Sequence, residues 1–150
     1  MSFRFDIIYE YREMFVYGAL MTLGLTAAST LGGTILGLIG ALARIIRFEK
    51  GGLPLKMLAW LIRNISLLYV TVFRGTPLFV QIFIWYFIWA VALINPVDGW
   101  LISGDLAVEL RRNYGAIIAG TLALTVNAGA YITEIFRAGI QSIDKGQIEA

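Results

Sequence analysis

The sequence contains no cysteine and no histidine. Their absence excludes disulfides, thiolate or imidazole metal sites, bis-histidine haem ligation and every catalytic dyad that depends on an imidazole. Charge is also scarce, at 15 % of residues, against about 25 % in soluble domains. An intramembrane aspartyl protease would need acidic residues inside the apolar stretches, yet Asp6, Asp98, Asp105 and Asp144 all lie outside them. No catalytic residue, metal site or bound cofactor is therefore expected on this chain. With a net charge of only +2, and its basic residues dispersed among apolar ones, the chain offers no nucleic-acid footprint. The missing cysteine says little about compartment, because a bilayer protein needs no disulfide staple.

What is abundant is hydrophobicity. Fifty-nine per cent of residues are hydrophobic, well above the soluble average of about 45–50 %, so an all-α polytopic membrane protein in contact with lipid is expected. The first thirteen residues set Arg4 and Arg12 against Asp6, Glu10 and Glu13. The apolar run behind them is far longer than the roughly 7–15 residues of a signal-peptide core, so a mature N-terminus is expected.

Three stretches are free of charge: Met14–Ala43, Pro77–Ile94 and Asn113–Thr133. The first would reach ~45 Å as a helix against a hydrocarbon core of about 30 Å, so it must tilt or project. Read as three spans, they place the two chain ends on opposite sides. Arg44, Arg47, Lys50, Lys56, Arg63 and Arg74 lie between the first and second spans; only Arg111 and Arg112 lie between the second and third, beside Asp98, Asp105 and Glu109. Cytoplasmic loops carry the basic excess. The N-terminus is thus expected outside and Arg137–Ala150 in the cytoplasm.

Leu55–Phe73 is apolar enough to resemble a further span. On a helix, however, Lys56, Arg63 and Arg74 fall within about 20° of one another, next to Asn64 and Thr71. A basic stripe on an apolar helix suits the headgroup region, so an interfacial helix is expected rather than a fourth span, which would reverse the direction of the later spans. Arg74-Gly75-Thr76-Pro77 then reads as a break and restart, with Gly75 freeing the backbone, Thr76 available as a cap and Pro77 suited to the first helical position. Asn95-Pro96 ends the second span, and Trp85, Tyr86, Trp89 and Trp100 crowd towards that end as interfacial aromatics do.

Span one carries Gly32, Gly33, Gly37 and Gly40. Gly33 and Gly37 form a small-xxx-small pair that permits close backbone approach, as ordinary packing within the subunit or as a dimer contact. Polar groups inside the spans are few: Gln81, Thr121, Thr125 and Asn127. An amide unpaired in hydrocarbon is costly, so Gln81 and Asn127 must meet a neighbouring helix or a wet cavity. Asn127, Tyr131 and Glu134 share a helical face, the best candidate for a pathway lining, with Thr125 and Gln81 as further candidates. Glu134 and Arg137, three apart, can pair as a membrane-edge ion pair. Gly139 and Gly146 suggest that the helix ends and the chain turns before GQIEA.

Two blocks together are similar to the polar amino-acid permease family, the membrane subunits of bacterial type I ABC importers of the histidine, glutamine or arginine type: YVTVFRGTPLFVQIFIWYF (Tyr69–Phe87) and LTVNAGAYITEIFRAGIQSIDKGQIEA (Leu124–Ala150). The resemblance implies a subunit of the bacterial cytoplasmic membrane that binds no ATP itself. It implies as partners a second permease copy or a related permease, a cytoplasmic ATP-binding subunit, an extracytoplasmic amino-acid-binding protein and an amino-acid substrate. It also implies that Gly146, Glu149 and Ala150 begin the EAA coupling segment, which docks on the ATPase. In that family the motif continues with a second alanine and, after three more residues, a glycine, followed by two more spans; here the sequence stops at Ala150, so a partial transmembrane domain over residues 1–150 is expected. A non-transporting scaffold that docks a soluble partner is the alternative. An ion channel would want charges along a pore, and the spans contain none.

Overall fold

A computed structural model describes residues 5–47 and 52–143. Within them the chain is nearly all helical, without strands: α1 (Phe5–Glu10), α2 (Arg12–Ile45), α3 (Leu53–Gly75), α4 (Leu78–Ile84), α5 (Ala90–Leu93) and α6 (Asp105–Gln141). A π-helical turn over Trp85–Trp89 joins α4 to α5, so residues 78–93 form one irregular rod. The expected coupling residues Gly146, Glu149 and Ala150 lie outside the described residues.

The long helices start and stop where local chemistry dictates. Helix α3 begins behind Gly52 with proline in its first turn, where a missing N–H does no harm. Helix α6 starts after Gly104, whose φ of 71° favours glycine, and carries Asp105 in its first turn, complementing the helix dipole. It runs through Gly139 and ends where the Ser142 N–H reaches the carbonyls of Ala138 and Gly139. Gly139 is therefore inside the helix and not its terminus: one glycine costs about 1 kcal/mol, too little to stop a long packed helix. Both α2 and α6 extend past their uncharged stretches, because polar side chains at a membrane edge leave backbone hydrogen bonding intact.

The contacts fix the direction of each helix. Along α2, Ser29, Gly33, Gly37 and Gly40 face Thr121, Ala128, Ile132 and Thr133 of α6 in turn, and Arg44 meets Glu134. The two helices thus run parallel. Between them the chain returns: Arg63 and Arg137 line one cleft, Tyr69 meets Val126, Gln81 meets Asn127, Tyr86 and Ala116 line another cleft, and Pro96 and Val108 a third. Helix α3 and the 78–93 rod therefore travel in the same direction, as one return broken at Gly75–Pro77.

Among the described residues, three helices are long and apolar enough to cross a membrane: Arg12–Ile45, Leu53–Gly75 and Asp105–Gln141; Leu78–Leu93 is shorter. The stretch expected as an interfacial helix is thus one of the three, and the expected second span falls on the shorter, irregular rod.

The interior is made of small side chains. Ala41, Ala107, Ala119, Ala123 and Ala130 are 0 % exposed, and the largest fully buried side chain is Thr133. A Cβ added at Gly33 would sit 2.8 Å from the Ala128 Cβ, and one at Gly37 2.5 Å from Ile132 Cγ2. Close backbone approach through small residues is how helices associate where lipid is as apolar as leucine. Large side chains point outward, Leu31 being 70 % exposed. In water such a surface would aggregate; around a membrane helix it is what lipid contacts.

Candidate functional site

The break between α3 and α4 is closed by side chains. A helix leaves its last four carbonyls without internal partners, and here two are answered. Thr76 Oγ1 donates to the Val72 carbonyl (2.8 Å). Gln81, only 3 % exposed, places Nε2 within reach of the Phe73 carbonyl (2.9 Å), the Thr76 carbonyl (3.1 Å) and Thr76 Oγ1 (2.9 Å). Asn127 of α6 completes the joint: its Nδ2 donates to the Phe73 carbonyl and to Gln81 Oε1, both at 3.1 Å. The two hydrogens of the Asn127 amide thus serve both sides of the break. Beside it, the Tyr69 hydroxyl donates to the Val126 carbonyl at 2.6 Å, made possible by the missing side chain at Gly129. The Arg74 guanidinium stands 5.2 Å over the Tyr131 ring.

A second polar node lies two turns further along α6. Arg137 Nε and Nη2 donate to Glu134 Oε2 at 2.9 and 2.7 Å, and Arg137 Nη1 donates to Gln141 Oε1 at 2.6 Å. Arg44 Nη1 of α2 lies 3.4 Å from Glu134 Oε1. One carboxylate therefore fastens the ends of the two parallel helices.

The expected site residues separate into these places. Gln81 and Asn127 come together, but as partners of one another and of backbone, which is the interhelical hydrogen bond rather than a free lining. Thr125 turns to Gly32 on α2, away from Asn127. Tyr131 is 47 % exposed under Arg74, and Glu134 with Arg137 forms the expected i, i+3 pair. The break falls on Gly75, Thr76 and Pro77 as expected, with one correction: Pro77 is the N-cap of α4 and has no side-chain cap bond, while Thr76 turns back to α3. A proline at N-cap provides no side-chain acceptor, and Gln81 from the next turn closes the joint instead. Sequence reasoning missed Tyr69, Ser66, which donates to the Gly40 carbonyl at 2.9 Å, and the reach of Arg44 to Glu134. Tyr69 and Ser66 stand four and seven residues before Phe73, on one face of α3, and that spacing was the available signal.

A family model described as "Binding-protein-dependent transport system inner membrane component" matches residues 33–150, from the glycine stripe of α2 through both nodes. The chain belongs to this family. Among similar members of this inner-membrane component family, the glutamine transport system permease protein GlnP of Escherichia coli K12 is 30 % identical over 150 residues, covering 100 % of this chain and 56 % of that protein. The putative glutamine transport system permease protein GlnP of Rickettsia conorii is 30 % identical over 135 residues, covering 90 % and 49 %. A crystal structure of an amino acid ABC transporter with histidines matches with a TM-score of 0.65 at 31 % identity, over 99 % of this chain and 56 % of that one. The chain spans about half the length of the curated relatives it matches. The family expected from the two sequence blocks is the family matched, one of transport membrane components and not of enzymes.

Proposed function

We propose that the chain forms part of the translocation pathway of a binding-protein-dependent ABC importer for a polar amino acid. Glutamine is the first substrate to test, since the relatives are named for its transport. The observation that carries the mechanism is the continuity of α6. One unbroken helix passes from the Asn127 joint to the Glu134 node and ends at Gln141. A push delivered to its inner end by a cytoplasmic ATP-binding subunit moves α2 with it, through Arg44 and the glycine seam, and loads the joint that closes the broken return.

The chain crosses the membrane three times in this reading: α2 inward, α3 with the 78–93 rod outward, α6 inward, the first part of α3 lying at the cytoplasmic face. The N-terminus is outside, where an amino-acid-binding protein delivers substrate, and Gly146, Glu149 and Ala150 begin the segment that docks on the ATPase. ATP is bound by that partner, and a second permease subunit supplies the opposing wall. Tyr131 and the exposed side of the joint face the pathway, while Gln81, Asn127, Arg74 to Pro77, Glu134, Arg137 and Gly139 serve as mechanical parts.

The test is reconstitution of the permease containing this chain with its ATP-binding subunit in vesicles. Hydrolysis stimulated by glutamine-loaded binding protein over the empty form, with glutamine accumulating in the lumen, is expected. Equal rates with loaded and empty binding protein and no accumulation would leave a docking scaffold instead.

A further inference from the structure

Three segments converge on a cleft of about 360 Å³ at the inner end of the bundle, lined by Arg44 at the end of α2 and Arg47 just beyond it, Arg63 from α3, and Arg137 and Gln141 from α6. Among the described residues, four guanidinium groups share this space with one neighbouring carboxylate, Glu134. Arg137 is already committed, its nitrogens bonded to Glu134 and Gln141. Arg44 Nη1 is buried, lies 3.4 Å from Glu134 Oε1 and has no hydrogen bond among the described residues. Neither Arg47 nor Arg63 has an acidic partner among the described residues. Among the described residues the cleft thus carries an excess of about three positive charges, with one buried donor lacking a hydrogen bond, and buried donors in native structures are normally satisfied.

We propose that this cleft binds the phosphate of an anionic lipid headgroup. Guanidinium forks match phosphate oxygens in pairs, and several arranged around one space recognise a tetrahedral anion better than a carboxylate. The position favours a lipid as the source. The uncharged run of α2 ends at Ala43, one residue before Arg44, so the cleft opens where the hydrocarbon gives way to headgroups, and anionic lipids attract arginine at that level. Its volume is in the range of small-molecule sites. The bound phosphate ties α3 to the Glu134 node, a link that no direct ion pair among the described residues provides. This inference is independent of which solute is carried.

The full chain, purified in non-ionic detergent, is titrated with dihexanoyl phosphatidylglycerol, dihexanoyl phosphatidylcholine or sodium phosphate, and adducts are counted by native mass spectrometry. Phosphatidylglycerol should bind at least about tenfold more tightly than phosphatidylcholine, and the double variant Arg47→Gln with Arg63→Gln should lose about tenfold of that affinity, since charge-assisted hydrogen bonds are among the strong ones. Arg111→Gln with Arg112→Gln, which removes the same charge at the opposite end, should bind like the parent. Arg47→Lys with Arg63→Lys keeps the charge and should recover part of the loss, separating recognition from misfolding. Equal binding of the two lipids, or undiminished binding by the glutamine variant, would overturn the proposal. Displacement of phosphatidylglycerol by an equal concentration of sodium phosphate would overturn the lipid assignment in favour of a soluble phosphate.

Discussion

Replacing Gly33 by alanine tests the seam between α2 and α6 with one methyl group. The added Cβ would stand 2.8 Å from the Ala128 Cβ, 3.1 Å from the Gly129 nitrogen and 3.2 Å from the Thr125 carbonyl oxygen. Carbon atoms prefer a separation of about 3.5–4.0 Å, so the helices must part by roughly 1 Å. None of these three neighbours can swing aside, because one is a methyl on a helix and the other two are backbone. Overpacking of this kind costs about 1–3 kcal/mol. Against it stands the intrinsic preference of a helix for alanine over glycine, about 1 kcal/mol. Gly24→Ala measures that second contribution alone, since nothing lies within 4 Å of a Cβ there. Equilibrium unfolding in detergent should therefore show Gly24→Ala neutral or stabilising, with Gly33→Ala about 1–3 kcal/mol less stable than Gly24→Ala. Adding Ala128→Gly should return part of the loss by emptying the space the new methyl needs. Equal stability of the two single variants would refute the close seam.

Removing the amide at either side of the joint should be costly in a coupled way. Gln81→Leu and Asn127→Leu each strip a donor from the Phe73 carbonyl and should cost about 1–3 kcal/mol, with the double variant costing less than the sum, as a double-mutant cycle would report. Tyr69→Phe should lose about 1 kcal/mol for the single hydrogen bond to Val126, read in the same unfolding assay. Glu134→Gln leaves Arg44 and Arg137 facing each other without a carboxylate. It should destabilise by about 1.5–3 kcal/mol and reduce binding-protein-stimulated ATP hydrolysis in the reconstituted transporter, while Glu134→Asp restores part of both.

The helices were legible in the sequence wherever hydropathy ran unbroken, which is why α2 differs from its expected span by only two residues at each end. Helix α6 is eight residues longer at each end than its uncharged stretch, because charge marks the edge of lipid and not the end of helix. Leu53–Gly75 sends two opposed signals, an apolar content sufficient for crossing and a basic stripe suited to an interface. Only the contacts along α6, with Arg63 at the level of Arg137, Tyr69 and Gln81 at Val126 and Asn127, and Tyr86 at Ala116, tie it to the 78–93 rod as one return. The glycine stripe announced a close helix contact without naming the partner, since one helix face carries no record of what lies opposite. Gln81 and Asn127 were recognisable as amides in need of partners. That they find each other, 46 residues apart, depends on a break whose closure lies one turn beyond the residues that signal it.

The central claim is that α2 and α6 run the same way through the membrane, joined by a single broken return. The lack of native cysteine makes the test direct: Tyr9→Cys, Trp100→Cys and Ser142→Cys, each alone, exposed to a membrane-impermeant maleimide in right-side-out vesicles. Labelling of Tyr9→Cys and Trp100→Cys in intact vesicles, with Ser142→Cys labelled only after permeabilisation, is the predicted result. Labelling of Ser142→Cys in intact vesicles together with Tyr9→Cys would mean that the two helices run in opposite directions, and would contradict it.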